Sequence, residues 1–150
     1  MAFDARAIEA KLALNLISTT DMPKLAWDAL EAGLDGPAIR RIAAFEFPTF
    51  FQIQEVLPQA IEEMHLVKLD KPRAALHLAK LRAQEILTTN SDPLSHLRDF
   101  EHLWAEANFC RELLDYGNLD DEAYVARLTG QPEHEIREWV TTRLKQLANS

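Results

Sequence analysis

The sequence predicts an all-α protein, and three observations carry that reading. Twenty-two leucines and twenty-one alanines stand against four valines, a balance that suits helices and starves strands. Aspartate and proline recur together at Asp21-Met22-Pro23, Asp35-Gly36-Pro37, Asp70-Lys71-Pro72 and Asp92-Pro93. An aspartate can accept from the free N–H groups of a first turn, and a proline there gives up no intrahelical bond, so each pair predicts a helix start. Gly33, Gly117 and Gly130 follow helical patterns where a left-handed residue would close the helix.

The elements follow in order. A first helix is expected over 4–17. The second, 22–33, opens at Asp21-Met22-Pro23, carries Met22, Leu25, Ala26, Ala29 and Leu30 on one stripe, and stops at Gly33. Its Trp27 lies off that stripe, so a second layer of helices is expected to cover it. The third, 36–44, opens at Asp35-Gly36-Pro37. Thr49 and Gln52 form a capping box that starts the fourth, 50–65, in which Pro58 removes a backbone bond and predicts a kink near Val56. Four of the seven phenylalanines fall in Phe45–Phe51, and the connector is expected to plug the core with them.

Segment 71–88 opens at Asp70-Lys71-Pro72. Ala74, Ala75, Leu76, Leu78, Ala79, Leu81, Ala83, Ile86 and Leu87 cover most of its circumference, as in a helix surrounded by others. It is the expected central helix, with Leu78 buried. Segments 92–106, 108–116, 120–129 and 132–148 complete an irregular bundle of eight or nine short helices. The last shows the one-sided stripe Ile136, Trp139, Val140, Leu144 and Leu147. A chain of this length can bury enough surface in one core to read as a single helical domain, 1–150, without a disulfide or metal. The single cysteine, Cys110, closes no intrachain disulfide.

The formal charge is −8, and nearly all of it lies between Asp99 and Glu122. There Asp99, Glu101, Glu106, Glu112, Asp115, Asp120, Asp121 and Glu122 face one cation, Arg111. Such a balance opposes a nucleic-acid backbone. The N-terminus has no uninterrupted apolar run of the secretory kind, and no run approaches the roughly 18 apolar residues that span a bilayer. A cytoplasmic protein without membrane or nucleic-acid partners is the expectation.

No catalytic motif stands out: the chain has no Gly-rich phosphate loop, Cys-x-x-Cys, His-Glu-x-x-His or Gly-x-Ser-x-Gly. No cofactor and no enzymatic activity are expected. Glu62-x-x-His65 and Asp99-x-x-His102 each set a carboxylate and an imidazole three residues apart, the step used by di-iron bundles, and they form the metal-binding alternative. Cys110 sits mid-pattern among acids, which disfavours a thiolate nucleophile. The run from Trp27 to Ala44 has the outline of a helix-turn-helix whose Arg40 and Arg41 could touch phosphates, a second alternative.

The same run carries a resemblance. Asp21-Met-Pro23, Ala26, Ala29-Leu30, Gly33, Asp35-Gly-Pro37, Ile39-Arg40 and Ile42-Ala43 resemble a pattern met in small bacterial all-helical proteins of uncharacterised function, in which Gly-x-Asp-Ser-Pro precedes Leu-Arg-x-Leu-Ala. Here Gly36 replaces the serine, and Ile39 and Ile42 replace the leucines. The resemblance implies a fold fragment rather than a site. For function it implies an immunity- or antitoxin-like protein. The expectation is therefore a non-catalytic protein-binding domain that meets a basic partner through the acidic residues of 99–122.

Overall fold

Every regular element among the described residues of the computed structural model is helical, and no strand forms; the structure describes residues 3–150. The α-helical segments are α1 (Ala5–Ala13), α2 (Met22–Glu31), α3 (Pro37–Ala44), α4 (Phe50–Glu63), α5 (Lys71–Thr88), α6 (Leu97–Glu106), α7 (Leu114–Gly117, a single turn), α8 (Leu119–Leu128) and α9 (Glu133–Ala148). Short 3-10 turns at Thr19–Asp21, Pro93–His96 and Arg111–Leu113 lead into α2, α6 and α7. The chain divides into two compact units, Met1–Leu69 and Asp70–Ser150.

Helix starts separate into local and borrowed caps. Asp70 accepts from the Arg73 N–H at 2.8 Å, and Thr49 and Gln52 exchange both bonds of the capping box. Asp21 does not cap α2; it closes the preceding 3-10 turn, and its carboxylate accepts from the Ser18 hydroxyl at 2.8 Å. Asp35 does not cap α3 either. Its carboxylate takes the Gly36 N–H and a two-pronged bond from Arg40 at 2.7 and 2.6 Å.

The cap of α3 comes from α4. Glu63 accepts from the N–H groups of Ala38 and Ile39 at 3.2 and 2.9 Å and is steadied by Gln59 at 2.9 Å. A Cβ on Gly36 would collide with the Glu63 carboxyl, so the glycine is there for close approach. Its φ of 173° is one any residue adopts. Glu63→Ala is expected to cost about 1–2 kcal/mol by freeing two N–H groups. Gly36→Ala should reproduce much of that loss, and chemical denaturation of the single and double variants should show strong non-additivity.

Helix stops follow one rule more often than the glycines suggest. α1, α2, α4, α5, α6 and α8 are each followed by a residue with positive φ: Asn15, Gly33, His65, Asn90, Asn108 and Gly130. At Gly33 the Leu34 N–H reaches the Ala29 carbonyl and the Gly33 N–H the Leu30 carbonyl, both at 3.0 Å, which closes a Schellman motif. Asparagine tolerates this conformation best after glycine, so Asn15, Asn90 and Asn108 were stop signals of the same kind. Gly117 is not one of them. It is the last residue of α7, buried, and without positive φ. Pro58 lies within α4, which runs unbroken past it.

The first unit has its own core, in which Met22, Ala26 and Ala29 of α2, Ala38, Ile39 and Ile42 of α3, and Ile53, Val56 and Ala60 of α4 are buried together. α3 packs against both α2 and α4. Glu9 of α1 is buried and accepts from the Val67 N–H at 2.7 Å, which ties the segment after α4 to α1. Trp27 contradicts expectation: it is 55% exposed, and no second layer covers it. Met22, Ala26 and Ala29 form the buried stripe of α2, and Trp27, about 100° round the helix from Ala26, falls off it.

In the second unit α5 is the hub, packed against α6, α9 and the 3-10 turns at Pro93–His96 and Arg111–Leu113. Ala74, Ala75, Leu78, Ala79, Ala83 and Ile86 are buried, with Leu76, Leu81 and Leu87 half-buried. Asp92 ties the Pro93 turn to α9. It accepts from the Leu94 N–H at 3.1 Å and from Arg137 Nε at 3.1 Å, and the Arg137 bond holds its carboxyl below the ordinary 3.8. A carboxyl depressed on folding stabilises the fold above its unfolded value, and the gain is lost as pH falls through the lower folded value. Asp92→Asn is therefore expected to lower the melting temperature at neutral pH. The gap to the parent should close as the pH drops below 3.8.

Candidate functional site

The acidic residues of 99–122 lie in the second unit on α6, α7, α8 and their connections, and these three helices pack on one another. α6 turns Leu97 and Phe100 into the core, with Ala107 buried just past its end and Leu103 and Trp104 half-buried, while Glu101, His102 and Glu106 face solvent. Glu112, Asp115, Asp121 and Glu122 are exposed as well. Asp120, Asp121 and Glu122 occupy the first turn of α8, where carboxylates complement the helix dipole.

Two of the eight carboxylates are neutralised locally. Asp99 accepts from Arg82 Nε at 2.8 Å, with Glu85 on the same guanidinium at 2.9 Å and His96 at 3.0 Å. Asp120 lies 3.9 Å from Arg98. Among the described residues the other six form no ion pair, so their field reaches solvent.

A tight knot braces this face. Trp104 donates through Nε1 to the Cys110 carbonyl at 2.9 Å and meets Phe109 edge-on, with ring centroids 5.0 Å apart. Asn108 and Phe109 both have positive φ, a strained pair that the Trp104 contacts hold in place. Gly117 lets the Trp104 ring approach, since a Cβ there would come within 2.5 Å of it. Burial pushes the Cys110 thiol up, with Glu112 beside it acting in the same direction, so this cysteine is a poor nucleophile.

The metal alternative loses its geometry. His65 stands beyond the end of α4 with φ 56°, so Glu62 and His65 do not share a helical face. Asp99 is committed to Arg82. No cluster of three or more His, Cys, Asp or Glu suited to a metal ion occurs among the described residues. In the helix-turn-helix run, Arg40 is held by Asp35, and Arg41 lies 3.7 Å from Glu55. No helix among the described residues is long and apolar enough to cross a membrane.

The Phe45–Phe51 connector departs from expectation. Phe45 packs against the first core, but Phe47 is 92% exposed, and Phe50 and Phe51 are exposed too. The buried stripe of α4 begins at Ile53, so Phe50, one turn earlier, projects past the end of the core. Sequence reasoning also missed an apolar strip beside the acids: Tyr124, Val125 and Leu128 of α8 are exposed, Leu128 by 69%. The signal was present, since α8 buries Leu119 and Ala123 and these larger residues fall on other faces. No protein-family model, curated protein or solved structure matches this chain.

Proposed function

We propose that this is a non-catalytic binding protein that meets a basic protein partner through the acidic face of α6–α8. The observation that carries the reading is the set of six exposed carboxylates without ion pairs beside the exposed Tyr124, Val125 and Leu128. Charge for solubility alone calls for no apolar strip next to it, whereas an interface combines the two. An immunity- or antitoxin-like protein masking a basic toxin is the most concrete form of this reading, and it draws on the resemblance at Asp21–Ala43.

A photo-crosslinking residue at Asp115 would capture the partner, and kinetics with the purified pair would decide. Association is expected to slow by about tenfold between roughly 0.05 and 0.5 M salt, because complementary charge acts on the encounter rate. Glu101→Gln with Glu106→Gln should slow it further at low salt. These α6 positions suit the test better than Asp120–Glu122, whose neutralisation also removes about 0.3–1 kcal/mol of helix-dipole stabilisation apiece. An on-rate indifferent to both changes would reduce the acidic face to solvation and direct attention to Phe47, Phe50 and Phe51.

A further inference from the structure

We infer that the groove between α8 and α9 seats a basic amphipathic helix of the partner, an assignment that rests on the binding function proposed above. The groove is lined by Val125, Ala126 and Trp139, with Glu122 and Glu135 on its walls, and a shallower extension along α8 adds Asp121. No lysine or arginine lines either part. Two cations lie nearby: Arg127 binds Glu133 at 2.6 Å, and the Arg143 guanidinium sits over the ring of Trp139, itself a lining residue, at 5.5 Å.

Three properties of the occupant follow. Val125 is exposed and Trp139 half-buried in the groove, so it carries apolar side chains that remove them from water. Asp121, Glu122 and Glu135 form no ion pair among the described residues. A neutral cover would desolvate them without compensation, so the occupant brings lysine or arginine at its edges. The walls are helices, whose internal N–H and C=O groups are already paired, and an extended peptide would find no backbone edge to bond. A segment that satisfies its own backbone, a helix, fits this groove. A second copy of the chain is disfavoured by its own charge of −8.

The test uses the full chain labelled with 5-fluorotryptophan, its resonances for Trp27, Trp104 and Trp139 assigned by Trp→Phe variants. The probe is a leucine/lysine peptide of about 15 residues with leucines at helical spacing. The resonance of Trp139 should shift on titration while that of Trp27 stays. Val125→Lys should weaken binding by about tenfold, and Phe47→Lys, at a still more exposed position of the first unit, should leave it unchanged. Both replaced side chains are exposed, so folding does not confound the comparison. Equal binding of a peptide broken by central prolines, or of a leucine/glutamate counterpart, would overturn the helical or the basic character of the occupant. A silent Trp139 with shifted amides at Glu101, Glu106 and Asp115 would overturn the groove and leave the acidic-face reading standing. Silence at all of them would overturn both.

Discussion

Replacing Leu78 by alanine is expected to lower stability by about 2–5 kcal/mol, from lost transfer energy and from the cavity left behind. Leu78 is buried on α5, the helix that α6, α9 and two 3-10 turns pack around, so the gap opens inside a region braced by several elements. Its neighbours along the helix, Ala74, Ala75, Ala79 and Ala83, are already small and fully buried. Closing the gap would require whole helices to shift, which rigid packing resists. Urea denaturation monitored by circular dichroism reads the loss directly. A change under about 0.5 kcal/mol would assign α5 to the periphery instead.

Gly117→Ala is expected to cost about 3 kcal/mol, although it adds one methyl group and improves helix propensity. The new Cβ would stand 2.5 Å from ring atoms of Trp104. That ring cannot swing aside freely, because its Nε1 donates to the Cys110 carbonyl and the ring packs perpendicular to that of Phe109. Displacing it breaks the hydrogen bond and gives up the ring contact with Phe109, so an unsatisfied donor and lost packing add to the overlap. Pairing Gly117→Ala with Trp104→Ala tests the account. The alanine has already given up the bond and the ring atoms that the new Cβ would strike, so the added cost of the methyl group should shrink sharply.

These two positions mark the boundary between what could be read and what could not. Apolar residues around the circumference of 71–88 identify a surrounded helix without reference to partners, and the structure makes that helix the hub of the Asp70–Ser150 unit. Gly117 follows a helical pattern just as Gly33 and Gly130 do, and sequence alone assigns all three the same left-handed stop. Gly33 and Gly130 have it; Gly117 instead makes room for an aromatic ring thirteen positions earlier.

The site divides in the same way. The concentration of carboxylates in 99–122 is a property of composition and is legible at once. Which of them remain free of ion pairs depends on Arg82 of α5 and Arg98 of α6, and that needed coordinates. The exposed Phe47 was misjudged by the rule that large apolar residues go inside, and the apolar strip Tyr124, Val125 and Leu128 was passed over without a reading. That rule fails where a helix offers more apolar faces than its neighbours cover.

The sequence by itself determined helical class, the order of the elements and most of their ends, because propensity, capping and periodicity act within a few residues along the chain. Tertiary structure decided that Glu63 rather than Asp35 caps α3, that Asp99 serves Arg82, that Trp27 faces water, and that α8 and α9 enclose a groove. Each of these depends on groups brought together by packing. A carboxylate goes to whichever N–H or guanidinium the fold sets within about 3 Å, and no local pattern encodes that distance.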